Sequence, residues 1–202
     1  MTLYALKPSF QASLRPLAAR LARAGITANQ VTVAAGLGSV GLGAALCLAP
    51  RPWLFLVLAP WMFVRMALNA LDGMLAREFG MESPLGTYLN ELADVVADTT
   101  LILPFALHGP GALAAGLALA FAATVSEFAG ALGAGLGAGR RNEGPMGKSD
   151  RALLLALLAL WHGITGRPFP WSGGMLWIAC ALVCINVVRR SAIGARLSTR
   201  RP

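Results

Sequence analysis

The chain has 202 residues, of which 56% are hydrophobic and 13% charged, with a mean hydropathy of +0.64. A soluble domain carries roughly a quarter charged residues, so the composition excludes one and describes a polytopic membrane protein, read as a single domain over residues 1–202. The net charge of +8 does not make a nucleic-acid module, because the basic residues lie between apolar runs and at the ends; they read as topology determinants and anionic-lipid contacts.

Residues 1–30 interleave Leu3, Tyr4, Leu6, Phe10, Leu14, Leu17 and Leu21 with Lys7, Arg15, Arg20 and Arg23. This is the pattern of an amphipathic helix on the cytoplasmic surface, without the apolar core of a cleavable signal. A first span is expected at about 31–49, with Thr27 as a candidate N-cap. Pro50-Arg51-Pro52 turns the chain into a second span, about 53–72, and residues 73–85 with Arg77, Glu78 and Glu82 read as a polar surface connection. The third and fourth spans, about 86–107 and 112–138, meet at Gly109-Pro110-Gly111. A polar loop over 139–151 then leads to the last two, about 152–165 and 173–188. The expected fold class is all-α, six transmembrane helices behind an N-terminal surface helix. Fourteen basic residues fall at the N-terminus, the 73–85 connection, the 139–151 loop and the tail, against Arg51 and Arg167 opposite. Positive-inside orientation therefore puts both termini on the cytoplasmic side.

Chemistry concentrates between Asn69 and Asp98. Asn69 and Asp72 share a helix face, as do Asn90, Asp94 and Asp98 at steps of four. The result is two rows of oxygen ligands suited to a hard divalent cation, Mg2+ or Mn2+, with positions left open for a substrate's phosphates. Asp98, deep in an apolar helix, demands a metal or a charged partner, while Glu91 lies about 100° around the helix from Asn90 and reaches the site only from the side. Arg65 and Glu127 are intramembrane ionisable residues, expected either to pair with each other or to meet substrate. Cys47, Cys180 and Cys184 have no metal-like spacing and read as packed free thiols, and His108 and His162 as structural.

This segment resembles the signature of the CDP-alcohol phosphatidyltransferases, membrane enzymes of phospholipid synthesis. That signature is Asp-x-x-Asp-Gly-x-x-Ala-Arg, about eight residues, then Gly-x-x-x-Asp-x-x-x-Asp. Asp72, Gly73, Ala76, Arg77, Gly86 and Asp94 fall on it with every spacing kept, and Asn69 and Asn90 stand at its first and third aspartate positions. The resemblance implies Asp72, Asn69, Asn90 and Asp94 as metal ligands, Asp94 also as the catalytic base, and Gly73, Ala76, Arg77 and Gly86 against the CDP-alcohol. Asp98 is added to the metal set as a third carboxylate, with Glu91 in reserve. Asn29 and Thr32 match a family entry to the first helix near the nucleotide, or simply cap that helix. Lys148 and Arg151 match a stretch that holds phosphate in the family, although anchoring to the membrane surface explains them equally; Arg140 and Arg141 read as anchors.

The implied activity is transfer of a phosphatidyl group from a CDP-alcohol, CDP-diacylglycerol above all, to a small hydroxyl acceptor with release of CMP. The enzyme would be a metal-dependent homodimer in the inner membrane, with no nucleic-acid partner. Two other classes stay open. The two asparagines remove two negative charges, which suits a silent member binding CDP-lipid or a partner subunit; alternatively the acids line a transporter, whose repeats or broken helices are not evident here.

Overall fold

A computed structural model describes residues 7–141 and 144–198, with side chains from Phe10 onward; Leu3, Tyr4, Leu6, Lys7 as a side chain, and the last basic residues Arg200 and Arg201 lie outside the described residues. Among them the ordered elements are helices: α1 (Lys7–Arg23), α2 (Ala28–Leu48), α3 (Pro52–Glu78), α4 (Pro84–His108), α5 (Leu113–Gly135), α6 (Lys148–Thr165) and α7 (Ser172–Ser198). Four of them, α2, α3, α5 and α7, are long and apolar enough to cross a membrane. The chain is an all-α membrane protein. α4 and α6 fall short of the same measure because they carry Glu91, Asp94 and Asp98, and Lys148, Asp150 and Arg151, respectively.

Several boundaries differ from expectation, each for a local reason. α2 begins at Ala28 because Thr27 and Gln30 close a capping box, the Thr27 hydroxyl accepting from the Gln30 N–H and the Gln30 side chain from the Thr27 N–H. α6 begins at Lys148 because the Asp150 carboxylate accepts the Gly147 N–H at 3.1 Å. The polar connection expected over 73–85 is largely helix instead. α3 continues to Glu78 because Leu71, Met74 and Leu75 are buried against Val31 and Ala18, which leaves only residues 79–83 to turn the chain. α1 is thus tied to protein on its apolar side, with Arg15 paired to Glu78 at 3.0 Å; Phe10 and Leu17 remain exposed.

α2 packs on α3 and α4, α3 on α6, α4 on α5, and α5 on α7. The main core is built from Phe55, Leu58, Met62, Leu101, Leu119 and Leu155 with their neighbours. His162 stacks on Phe55 at 3.9 Å, and a ring nitrogen of His108 lies 3.2 Å from the Cys47 carbonyl oxygen, both structural contacts. The three cysteines are free; Cys180 is buried while Cys184 is exposed rather than packed. Because successive helices alternate in direction, the starts of α2, α4 and α6 and the ends of α3, α5 and α7 gather at one end of the bundle. Among the described residues, every buried acid lies there.

Small residues set the helix spacing, as they do in membranes, where close backbone approach replaces the hydrophobic drive. A Cβ at Gly116 would lie 2.3 Å from the Ala106 Cβ and 2.9 Å from its Cα, across the contact between α4 and α5. Gly116→Val is expected to lower stability by about 2 kcal/mol, read as a lower melting temperature in detergent. Gly41→Ala, whose added methyl meets nothing within 4 Å, should leave the melting temperature unchanged or raise it.

Candidate active site

The charged end is a ladder between antiparallel α3 and α4. Its deepest rung is Asp98, whose Oδ1 lies 2.6 Å from Arg65 Nη1 and whose Oδ2 lies 2.5 Å from Arg151 Nη2 on α6. One turn outward on both helices, Asn69 Nδ2 donates to Asp94 Oδ1 at 2.9 Å. Arg65 also reaches Asp94 Oδ1, at 3.5 Å, and the Lys148 ammonium seats on Asp94 Oδ2. The outer rung carries Asp72, buried, its Oδ2 accepting from the Thr32 hydroxyl at 2.8 Å. Asn90 stands on α4 one turn before Asp94, half-buried.

A second group flanks the ladder. Glu127 on α5 receives Arg151 at 3.1 Å, Arg140 at 3.0 Å and Arg190 at 3.8 Å; Arg140 also pairs with Glu91 at 2.7 Å. Arg190 Nη1 donates to the Ser126 carbonyl at 2.7 Å. Asp98, Glu127, Arg151 and Arg190 are all buried, and burying charge costs several kcal/mol per ion unless its partners are close and hydrogen-bonded.

Most residues singled out in the sequence come together here. Thr32 joins Asp72, and Asn29 closes on α4, where a Cβ at Gly86 would lie 2.6 Å from its amide oxygen. The Arg77 guanidinium folds back over Gly73, 2.8 Å from where a Cβ would stand. Lys148 and Arg151 meet the acids, which exceeds an anchoring role. Glu91, the reserve acid, is committed to Arg140.

Two readings need correction. Arg65 and Glu127 do not pair with each other: Arg65 is taken by Asp94 and Asp98, and Glu127 by Arg140, Arg151 and Arg190. Arg140 and Arg190 turn to Glu127 in the charged cluster rather than serving only as surface anchor or tail. Arg190 was legible, since the buried positions of α7, Cys180, Val183, Asn186 and Arg190, follow one helical stripe. Likewise the α3 stripe through Met62 and Arg65 runs directly into Asn69 and Asp72. Arg140 lies in a loop, where no periodicity marks it.

The donors at the outer rungs are all oxygen: two carboxylates, Asp72 and Asp94, and the amide oxygens of Asn69 and Asn90. Among the described residues no three Asp, Glu, His or Cys side chains converge to hold a metal by themselves. The Lys148 ammonium on Asp94 nonetheless marks the place as one that draws positive charge. The donor chemistry fits one hard divalent cation, Mg2+ or Mn2+, completed by neutral amides and substrate phosphates.

A family model described as CDP-alcohol phosphatidyltransferase matches residues 25–185. The chain is 42% identical over 191 residues to the Inner membrane protein YnbA of Escherichia coli strain K12, covering 94% of both chains. It is 34% identical over 119 residues to the phosphatidylinositol phosphate synthase of Cutibacterium acnes, covering 57% of this chain and 56% of that one. Among solved structures, the phosphatidylinositol phosphate synthase of Mycobacterium tuberculosis in complex with manganese and citrate shares the fold. Its TM-score is 0.71 and its identity 21%, over 89% of this chain and 88% of that one. The same enzyme with CDP-DAG bound gives a TM-score of 0.69 at 21% identity, over 89% and 92%.

Asp98 holds two buried guanidinium groups, so Asp98→Asn should destabilise the protein by about 3–5 kcal/mol. The loss would appear in thermal unfolding in detergent with no metal added. An Asp98→Asn variant that melts with the wild type would contradict this assignment.

Proposed function

Because the chain belongs to the CDP-alcohol phosphatidyltransferase family, we propose that the oxygen-lined end of its bundle moves a phosphatidyl group from CDP-diacylglycerol to a small alcohol. The observation that carries this reading is the gathering of Thr32 on Asp72 and of Asn69 and Lys148 on Asp94 at the same end of the bundle. Membership of this family sets the transporter reading aside.

Asp72, steadied by Thr32, and Asp94 would hold a divalent cation, Mg2+ or Mn2+, with Asn69 and Asn90 as neutral ligands. When bound, the cation would neutralise the donor's diphosphate and make CMP a better leaving group. Asp94 takes the proton from the acceptor hydroxyl as that oxygen attacks the phosphorus bearing the diacylglycerol; the anhydride bond breaks and CMP departs. Asn69 and Arg65 fix the Asp94 carboxylate through its Oδ1, leaving Oδ2 to Lys148. Lys148 can pass its contact from Asp94 to a phosphate oxygen, as a point charge on a flexible stem does readily. Asp98 we assign to positioning rather than to the metal, since both its oxygens are committed to Arg65 and Arg151. Gly73, Ala76, Arg77, Gly86 and Asn29 form the side toward the CDP moiety, where the two glycines let the Arg77 guanidinium and the Asn29 amide lie close against the helices and Arg77 supplies a cation.

The same reading has six spans, α2 to α7, with both termini and the site at the cytoplasmic face and α1 at the interface, and the enzyme as a homodimer. The fourteen basic residues on that side support the orientation; the resemblance supports the dimer. A fluorescent protein fused after Pro202 should fold and fluoresce, as it does only in the cytoplasm, and a periplasmic reporter there should stay inactive.

The decisive assay is CMP release from CDP-diacylglycerol by the purified protein with Mn2+ and a pool of alcohols. Asp94→Asn should lower the rate by about 10²–10⁴-fold. Thr32→Val, which removes the hydroxyl behind Asp72, should raise the half-saturating Mn2+ concentration by about 10–100-fold. Silence from the wild type with every metal and acceptor would overturn the transferase reading.

A further inference from the structure

Asp94 belongs both to the ion-pair ladder and to the oxygen ligands above it, and its two carboxylate oxygens are spent differently. Oδ1 accepts from Asn69 Nδ2 at 2.9 Å and faces Arg65 Nη2 at 3.5 Å. Among the described residues, Oδ2 receives the Lys148 ammonium alone. The cations of the ladder are not equally free to leave. Arg65 and Arg151 are buried and clasp Asp98 from two sides. Lys148 opens α6, its side chain is 26% exposed, and Asp94 is the one carboxylate with which it forms an ion pair among the described residues.

A divalent cation held by Asp94 needs that same Oδ2, because Oδ1 is committed to Asn69 and Arg65. One oxygen does not serve both an ammonium and an ion such as Mg2+, which approaches its ligands to about 2.1 Å. The contest is close because Asn69 and Asn90 are neutral, which leaves two carboxylates, Asp72 and Asp94, to draw the metal in. A diphosphate changes the balance by offering the ammonium a second anionic partner, within reach of a flexible stem at a part-exposed helix start. Resting on the metal site of the transferase reading above, we propose that Lys148 competes with the divalent cation for Asp94, and that the donor's diphosphate opens the metal site by drawing Lys148 away. Lys148 is then a positioning residue for the metal, and through it donor and metal raise each other's affinity by the same factor.

The test reads Mn2+ binding directly, from the paramagnetic resonance signal of free Mn2+ over the full-length protein in detergent without nucleotide. Lys148→Met should bind Mn2+ at least about tenfold more tightly than the wild type. Arg77→Met removes a cation at Gly73, beside Asp72, that forms no ion pair with Asp94 among the described residues; its Mn2+ affinity should stay within about threefold of the wild type, the general effect of one screened charge fewer. CDP should then tighten Mn2+ binding to the wild type more than to Lys148→Met. A Lys148→Met variant that binds no more tightly than Arg77→Met would overturn the inference. The wild type supplies a second measurement, independent of how the variant folds. Lys7 and Lys148 are the two lysines of the chain, so acetic anhydride labelling read by mass spectrometry reports one against the other. Saturating Mn2+ without nucleotide should raise the labelling of Lys148 relative to Lys7, and an unchanged ratio with the metal bound sinks the proposal. Neither readout needs turnover. A protein that shows both Lys148 effects yet releases no CMP upholds the competition and overturns the transferase reading, whereas CMP release without them does the reverse. Absence of Mn2+ binding from every form, with or without CDP, overturns both.

Discussion

The charged end depends on one carboxylate, Asp98, clasped between Arg65 and Arg151. All three side chains are nearly sealed from solvent, at 8%, 5% and 2% exposure, where an uncompensated charge is not tolerated. The contact ties α3, α4 and α6 together and fixes their axial register. With Arg65 opposite Asp98, a step of one turn outward on each antiparallel helix sets Asn69 opposite Asp94, and a further step brings Asp72 to the level of Asn90. The deepest rung is purely ionic, the middle one mixes an amide with a carboxylate, and the outer one is open to the Thr32 hydroxyl. The site's geometry thus follows from a structural contact below it.

The family signature made the outer rungs readable before any coordinates, because residues three and four apart must share a helix face. The same rule carried the all-α membrane class and most helix positions. What it missed has common causes. The continuation of α3 to Glu78 was hidden because its cover, α1, is distant in sequence: Arg77 and Glu78 look like a surface loop until Ala18 packs on Leu75 and Arg15 reaches Glu78. The partners of Glu127 were hidden for a similar reason. A buried acid announces that it needs cations without saying which, and its three arginines come from a loop, α6 and α7. Composition also misled where basic residues were counted as anchors, since Arg151 and Arg190 face inward and are buried.

The two asparagines change what the site is when nothing is bound. An aspartate at position 69 would set a second carboxylate against Asp94 at the 2.9 Å now spanned by a hydrogen bond. Two like charges that close are stable only with a proton or a metal between them. The Asn69 amide instead donates to Asp94 and presents a neutral oxygen, so the middle rung is satisfied without metal. On the proposed assignment Asp98 would not replace the lost charges at the metal, because both its oxygens are committed to Arg65 and Arg151. The signature's negative charge has in effect moved inward, from the outer ligand positions to Asp98 and Glu127, where it is matched by arginines. A site built this way is preorganised by its own ion pairs, and on the proposed mechanism its hold on a divalent cation would rest on two carboxylates and on the phosphates of the donor itself. Metal and CDP-lipid would then bind as a unit, each supplying charge that the other lacks.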